Sequence, residues 1–265
     1  MFEYQFMRNA WLATTVIAIL AGPIGYFLVL RGQSFAGHAL AHLGFTGATL
    51  SIFLGVSPFT GALLVTVTGG VGIGLLGNRL ENRDVVIGVI LSLALGIGLL
   101  ALHFYTRFAT QANNLLFGNV LAVSHKTVVQ LAILAVICAI AFISFYRPLL
   151  LTTLQPDIAA TRGYPVLRYS IAFFILCGLI TAACAQIVGA LLVFTLMIAP
   201  GATALILTSR LKWGLFLSIL FALGYGLGGI TIAYITDWPV SFAITALSSL
   251  GYFLARIIHW EQQKC

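Results

Sequence analysis

The chain has 265 residues, 61% of them hydrophobic and only 7% charged. A water-facing globular surface carries roughly 25% charged residues, so this composition excludes a soluble domain and leaves a chain partnered by the lipid bilayer. The net charge of +7 gives no case for nucleic acid, because the thirteen Lys and Arg stand in ones and twos between apolar runs.

Apolar runs of about 20 residues can cross a bilayer core of roughly 30 Å. They recur here at 10–30, 35–55, 60–77, 85–103, 126–146, 167–186, 188–208, 214–235 and 240–258. The pattern predicts an all-α integral membrane protein, a polytopic bundle of nine transmembrane helices forming one domain over 1–265. The count drops to eight if the apolar stretch 167–208 is not divided at Gln186. The first run is longer than a signal peptide's core and lacks a small-residue cleavage site, so it is expected to remain as a span. Cys138, Cys177 and Cys184 lie inside apolar runs and Cys265 is the last residue. None forms a C-x-x-C pair, which argues against a disulfide framework or a thiolate metal site.

Alternation of nine spans places Arg31, Arg79, Arg83, Arg147, Arg162, Arg168, Arg210, Lys212, Arg256 and Lys264 on one side. Only Arg8, Arg107 and Lys126 face the other. Cationic loops stay cytoplasmic, so the N-terminus is expected outside and the C-terminus inside. An eight-span arrangement spoils this segregation.

Two connections are more than turns. Residues 104–125 hold Asn113, Asn114, Asn119 and His125 and are too polar to span, which suggests an external lid or a re-entrant segment. Residues 150–165 predict a short cytoplasmic helix outside the membrane. Pro156 suits its first position, Asp157 complements its positive start, Gly163 suits its C-terminal cap, and Pro165 forbids continuation.

No G-x-x-x-x-G-K-[ST] phosphate loop occurs, so the chain itself is not expected to bind ATP. Gly72-Ile-Gly74-Leu-Leu-Gly77 matches a dinucleotide fingerprint formally but lies within a span, where small residues serve close helix packing. The same reading covers Gly224, Gly226, Gly228 and Gly229. The informative segment is Ser34-Phe-Ala-Gly37-His38-Ala-Leu-Ala-His42-Leu-Gly44-Phe-Thr46-Gly47. His38 and His42 are four residues apart, so they share a helix face at roughly 5–6 Å between Cβ atoms. Two imidazoles so placed can share a divalent cation, and ionisable residues inside membranes are usually functional. A pair of neutral histidines hydrogen-bonded to neighbouring helices is the alternative.

The segment resembles the second-helix motif of the ABC-type zinc, manganese and iron permeases, where Gly is followed by Asp or His and then His four residues on. The likeness continues through Leu116-Phe117-Gly118-Asn119, Tyr146-Arg147-Pro148, Pro156-Asp157 to Gly163, Gln186-Ile-Val-Gly189, Pro200-Gly-Ala202-Thr203-Ala204 and Asp237-Trp-Pro239. The resemblance implies a permease subunit of an ATP-driven metal importer in a bacterial plasma membrane, with no permanent cofactor. It also implies three partners: a second copy of the chain, a cytoplasmic ATP-binding subunit, and an extracytoplasmic metal-binding protein. The 156–163 helix, with Pro156, Asp157, Ala160 and Gly163, is then the element that couples to the ATPase. Many members carry Asp where this chain has His38. Imidazole suits zinc and hard oxygen suits manganese, so zinc is the favoured cargo, with manganese or iron as alternatives.

Further ligand candidates are His103, at the outer end of the fourth span, and Asp237, which can also cap the last helix or guide cations inward. Asn119 fits an outer gate or lid, and His125 and His259 lie at membrane edges. A gradient-driven secondary transporter or a channel is a weaker fit, since such proteins usually carry intramembrane carboxylates and inverted repeats. An intramembrane metalloenzyme would need a carboxylate base near the histidines, and none is near them in sequence.

Overall fold

A computed structural model describes residues 3–76, 83–104, 118 and 120–262. The order is α1 (Gln5–Leu30), α2 (Ser34–Phe53), α3 (Pro58–Leu76), α4 (Arg83–His103), a 3₁₀ turn (Val120–Ala122), α5 (His125–Leu154), α6 (Pro156–Thr161), α7 (Val166–Val188), α8 (Ala190–Leu207), α9 (Leu211–Thr236) and α10 (Val240–Gln262). No strand occurs among the described residues. A long helix lies over each of the nine apolar runs, and a short one falls within 150–165.

Among the described residues, seven helices, α1, α3, α4, α5, α7, α9 and α10, are long and apolar enough to cross a membrane. In α2 the two histidines and several hydroxyls lower the hydropathy below that standard, and α8 offers a shorter apolar helix, Leu192–Leu207. Burial sorts the bundle into centre and rim. Inside the most apolar part of α1 and α7, 61% and 67% of residues are buried, against 17% for α4 and α5. Val89, Leu93, Leu100, Ile133, Ile140 and Ile143 on α4 and α5 point outward, which lipid tolerates and water would not.

Close packing at the centre depends on missing side chains. A Cβ on Gly70 would run into the main chain of Phe174, and one on Gly74 would lie 2.8 Å from Ile171 Cα. These contacts bring α3 against α7, so the packing role expected of the span's glycines holds at Gly74, whereas a Cβ on Gly72 would meet nothing within 4 Å and Gly77 lies outside the described residues. At the far end of α1, Arg31 donates to Ser170 Oγ at 3.1 Å, and its guanidinium lies 5.0 Å from the Phe173 ring centre. An arginine is thereby seated between helices, its charge met by a hydroxyl and a π face.

The long apolar stretch 167–208 does divide, although three residues later than Gln186. Gly189 has φ 84° and ψ 154° between Val188 and Ala190. That backbone is open to glycine and strained for other residues, so a conformational break ends the helix where no polar residue is needed. The α6 helix ends equally locally. Gly163, at φ 80°, donates its N–H to Ala160 at 3.0 Å, and Tyr164 donates to Ala159 at 3.0 Å. This pairing is a Schellman cap, and it fixes the six-residue element with Ala159 buried and Pro156, Asp157, Ala160 and Arg162 exposed.

Of the 104–125 connection, the structure describes Phe104, Gly118, the 3₁₀ turn and the start of α5; Asn113, Asn114 and Asn119 lie outside the described residues. Ser124 caps α5 by accepting from the Thr127 N–H at 3.2 Å. The Asn9 amide donates to the Val123 carbonyl at 3.1 Å, tying this turn to α1.

Candidate metal site on the second helix

Phe35, His38, His42, Phe45, Thr46 and Thr49 fall in one stripe roughly 100° wide along α2. The Phe35 and Phe45 rings and the Thr46 hydroxyl meet α4. There a glycine at 98 leaves a Cβ position only 3.0 Å from the Phe45 ring edge. The Thr46 hydroxyl, one turn beyond His42, donates to the Ala94 carbonyl of α4 at 2.6 Å and lies 3.1 Å from the His42 carbonyl. From the other side Phe194 of α8 brings its ring to 5.1 Å from that of His38. The pair therefore sits in a cleft between α2, α4 and α8.

The two imidazoles are 4.6 Å apart between centres and nearly perpendicular, at 87°. His42 is 5% exposed and His38 half-buried. The Nδ1 atoms of both are buried and have no hydrogen-bond partner. Leaving a polar atom so placed costs roughly 1–3 kcal/mol, and a cation accepting its lone pair removes that cost. Two imidazole nitrogens on one helical turn are the beginning of a divalent site and not its completion. Among the described residues no third His, Cys, Asp or Glu joins them.

The other sequence candidates lie elsewhere. His103 is exposed at the last turn of α4, beside Phe104. Asp237 is exposed and follows α9 in the left-handed region, φ 57°, as that helix's C-cap. Asn119 lies outside the described residues. His125 is the first residue of α5, and His259 is near the end of α10.

A cavity of about 450 Å³ opens at the end of the bundle that carries the α2–α3 and α7–α8 junctions. Gly44, Phe45, Ser57, Thr60, Lys126 and Gln186 are among its lining residues. Sequence reasoning gave no hint of it, or of Phe194, because the cavity is closed by helices, and the ring supplied by a helix, far from α2 in the chain. Thr46 and Thr49 were available as a signal, since they continue the histidine stripe at helical spacing.

The profile of the ABC 3 transport family matches residues 3–259. The manganese transport system membrane protein MntC of Halalkalibacterium halodurans is 32% identical over 254 residues, 96% of this chain and 87% of that protein. A probable iron transport system membrane protein of Haemophilus influenzae is 30% identical over 258 residues, 96% of this chain and 93% of that protein. The solved structure of PsaBC from Streptococcus pneumoniae in complex with Fab superposes with a TM-score of 0.82 at 28% identity, covering 95% of this chain and 91% of that one. The chain belongs to the ABC 3 transport family. It is a multi-pass membrane permease subunit and not an enzyme; ATP hydrolysis belongs to a separate subunit.

Proposed function

We propose that the chain is the membrane permease of an ATP-driven importer of a divalent transition metal, and that His38 and His42 hold the ion in transit. The observation that carries this reading is the pair of edge-on imidazoles on α2, 4.6 Å apart, whose buried Nδ1 atoms have no other partner. The names of the relatives, manganese and iron transport proteins, support a metal cargo.

Zinc fits the donor chemistry, because two imidazoles form a softer pair than the Asp and His of many family members. Manganese or iron is the second reading, favoured by those same names. The remaining coordination positions are filled by water or by donors that approach as the bundle moves. His103 and Asp237, exposed at the ends of α4 and α9, are further candidate ligands, and the Asp237 carboxylate also draws cations toward the entrance. Asn119, outside the described residues, is the candidate for an outer gate or lid.

All nine long helices span the bacterial plasma membrane, with the N-terminus outside and the C-terminus in the cytoplasm. The α6 helix then lies on the cytoplasmic side, where its exposed Pro156, Asp157, Ala160 and Arg162 meet the ATP-binding subunit. Two copies of the chain form the translocation unit and receive metal from an extracytoplasmic binding protein. Closure of the ATPase moves α6, and the movement opens the histidine cleft alternately to either side. The test is metal uptake by cells expressing His38→Ala, His42→Ala or both. Each single change is expected to lower uptake at least about tenfold, the scale on which even outer-shell changes weaken metal sites, and the double change to abolish it. Unaltered uptake by the double variant overturns the reading.

A further inference from the structure

We infer that Arg31 is the positioning residue through which movement of α6 reaches the histidine helix, its guanidinium fastening the start of α7 to the turn between α1 and α2. This role rests on the reading of α6 as the coupling element, and extends it from the ATPase contact to the metal.

The last turns of α1 grip both helices that flank α6. Phe27 is fully buried, and its ring lies 5.6 Å and 6.0 Å from those of Phe142 and Tyr146 on α5, the helix that leads into α6. On its other side the ring lies 6.3 Å from that of Phe173 on α7, the helix that follows α6. One turn further, Arg31 places its guanidinium 5.0 Å from the same Phe173 ring and donates to Ser170 Oγ at 3.1 Å. Ser170 and Phe173 are themselves buried, and Ser170 stands one turn into α7. Aromatic packing has little direction of its own and lets helices slide. A guanidinium adds direction, because it stacks on a ring through its flat face and donates within its own plane. Its charge is also favoured at the C-terminal end of α1 by the helix dipole.

The turn that leads from Arg31 to α2 has no slack. Gly32, at φ 64°, donates its N–H to the Val29 carbonyl at 2.9 Å, and Gln33 donates to the Leu28 carbonyl at 2.8 Å. This is the same Schellman pairing that ends α6. Helix α2 begins at Ser34, and His38 follows one turn later. A displacement of the start of α7 therefore passes to the first turn of α2 through one side chain and one closed turn. Coupling between distant sites is carried by contiguous, stiff contacts of this kind. An arginine serving only the end of its own helix has no use for a buried serine and a buried ring on another.

The test is a titration of the purified permease–ATPase complex with manganese(II), reading free metal by electron paramagnetic resonance. Each complex is titrated without nucleotide and again after trapping with ADP and orthovanadate and removal of excess nucleotide. Linked sites shift each other's affinity by about 5–150-fold, so the wild type is expected to change its manganese affinity at least about fivefold between the two states. In Arg31→Gln the change is expected to fall below about twofold, while the affinity without nucleotide stays at the wild-type value and certifies the fold. Arg31→Lys, which keeps the charge and loses the planar fork, is expected to fall between. Ser170→Ala, which removes only the acceptor, is expected to lower the change in the same direction. Where Arg31→Gln does not assemble, Arg31→Lys and Ser170→Ala decide by the same criterion. An undiminished change in these variants overturns the inference, and so does loss of nucleotide-free binding, which would make Arg31 a support of the cleft alone. Absence of any change in the wild type overturns the inference together with the α6 reading. A change that vanishes in Gly163→Val and persists in Arg31→Gln spares α6 and sinks Arg31.

Discussion

The protonation state of two rings governs what the histidine helix can do. Only a neutral imidazole offers a lone pair to a metal, and protons therefore compete with the cargo. Uptake is accordingly expected to weaken as the pH falls, and initial rates in whole cells that do not change on acidification would contradict the assignment. Thr46 sets the geometry of the pair indirectly, by hydrogen-bonding α2 to the Ala94 carbonyl of α4. Thr46→Val keeps the shape and removes the donor. It is expected to cost roughly 0.5–1.5 kcal/mol of stability, the net worth of such a bond, measured as a lower thermal midpoint of the purified subunit. An unchanged midpoint would show that the bond does not hold α4 in place.

Among the elements, α6 gives the sharpest expectation. Its end depends on Gly163 at φ 80°, a backbone that costs an L-residue roughly 1–2 kcal/mol. Gly163→Val is expected to fray the cap and to reduce metal-stimulated ATP hydrolysis severalfold, while metal binding by the isolated subunit stays normal. A fully coupled Gly163→Val transporter would remove α6 from the coupling role. This cap was legible in the sequence, because proline, acid and glycine each act within a few residues of their own position. The division of 167–208 was legible only in part. A search for a polar break points to Gln186, whereas the chain breaks at Gly189 by left-handed geometry. The cleft around His38 was half legible: its own helix stripe follows from spacing, but Phe194 and α4 arrive by tertiary packing that spacing does not encode.

For the molecule as a whole, three buried helices, α1, α2 and α7, form a centre around which more lipid-exposed helices are arranged. Composition and apolar run length made that envelope readable, since a chain with 7% charged residues has no other solvent to suit. Glycine contacts at the centre are less forgiving than the rim. Gly74→Leu would thrust a side chain into Ile171 of α7, and overpacking of that kind costs roughly 1–3 kcal/mol or more. Its expected outcome is loss of folded protein in membranes, whereas Gly72→Leu, where a Cβ meets nothing within 4 Å, is expected to be tolerated. Equal expression of the two variants would contradict the packing described here.

The most direct test of the account is uptake by the complete transporter reconstituted in liposomes, with its ATP-binding subunit and a metal-loaded binding protein, comparing the wild type with His38→Ala/His42→Ala. The wild type is expected to accumulate zinc, manganese or iron in an ATP-dependent manner and the double variant none, although the latter assembles with its ATPase. Undiminished accumulation by that variant would contradict the central claim, because the ion would then be crossing without the imidazole pair.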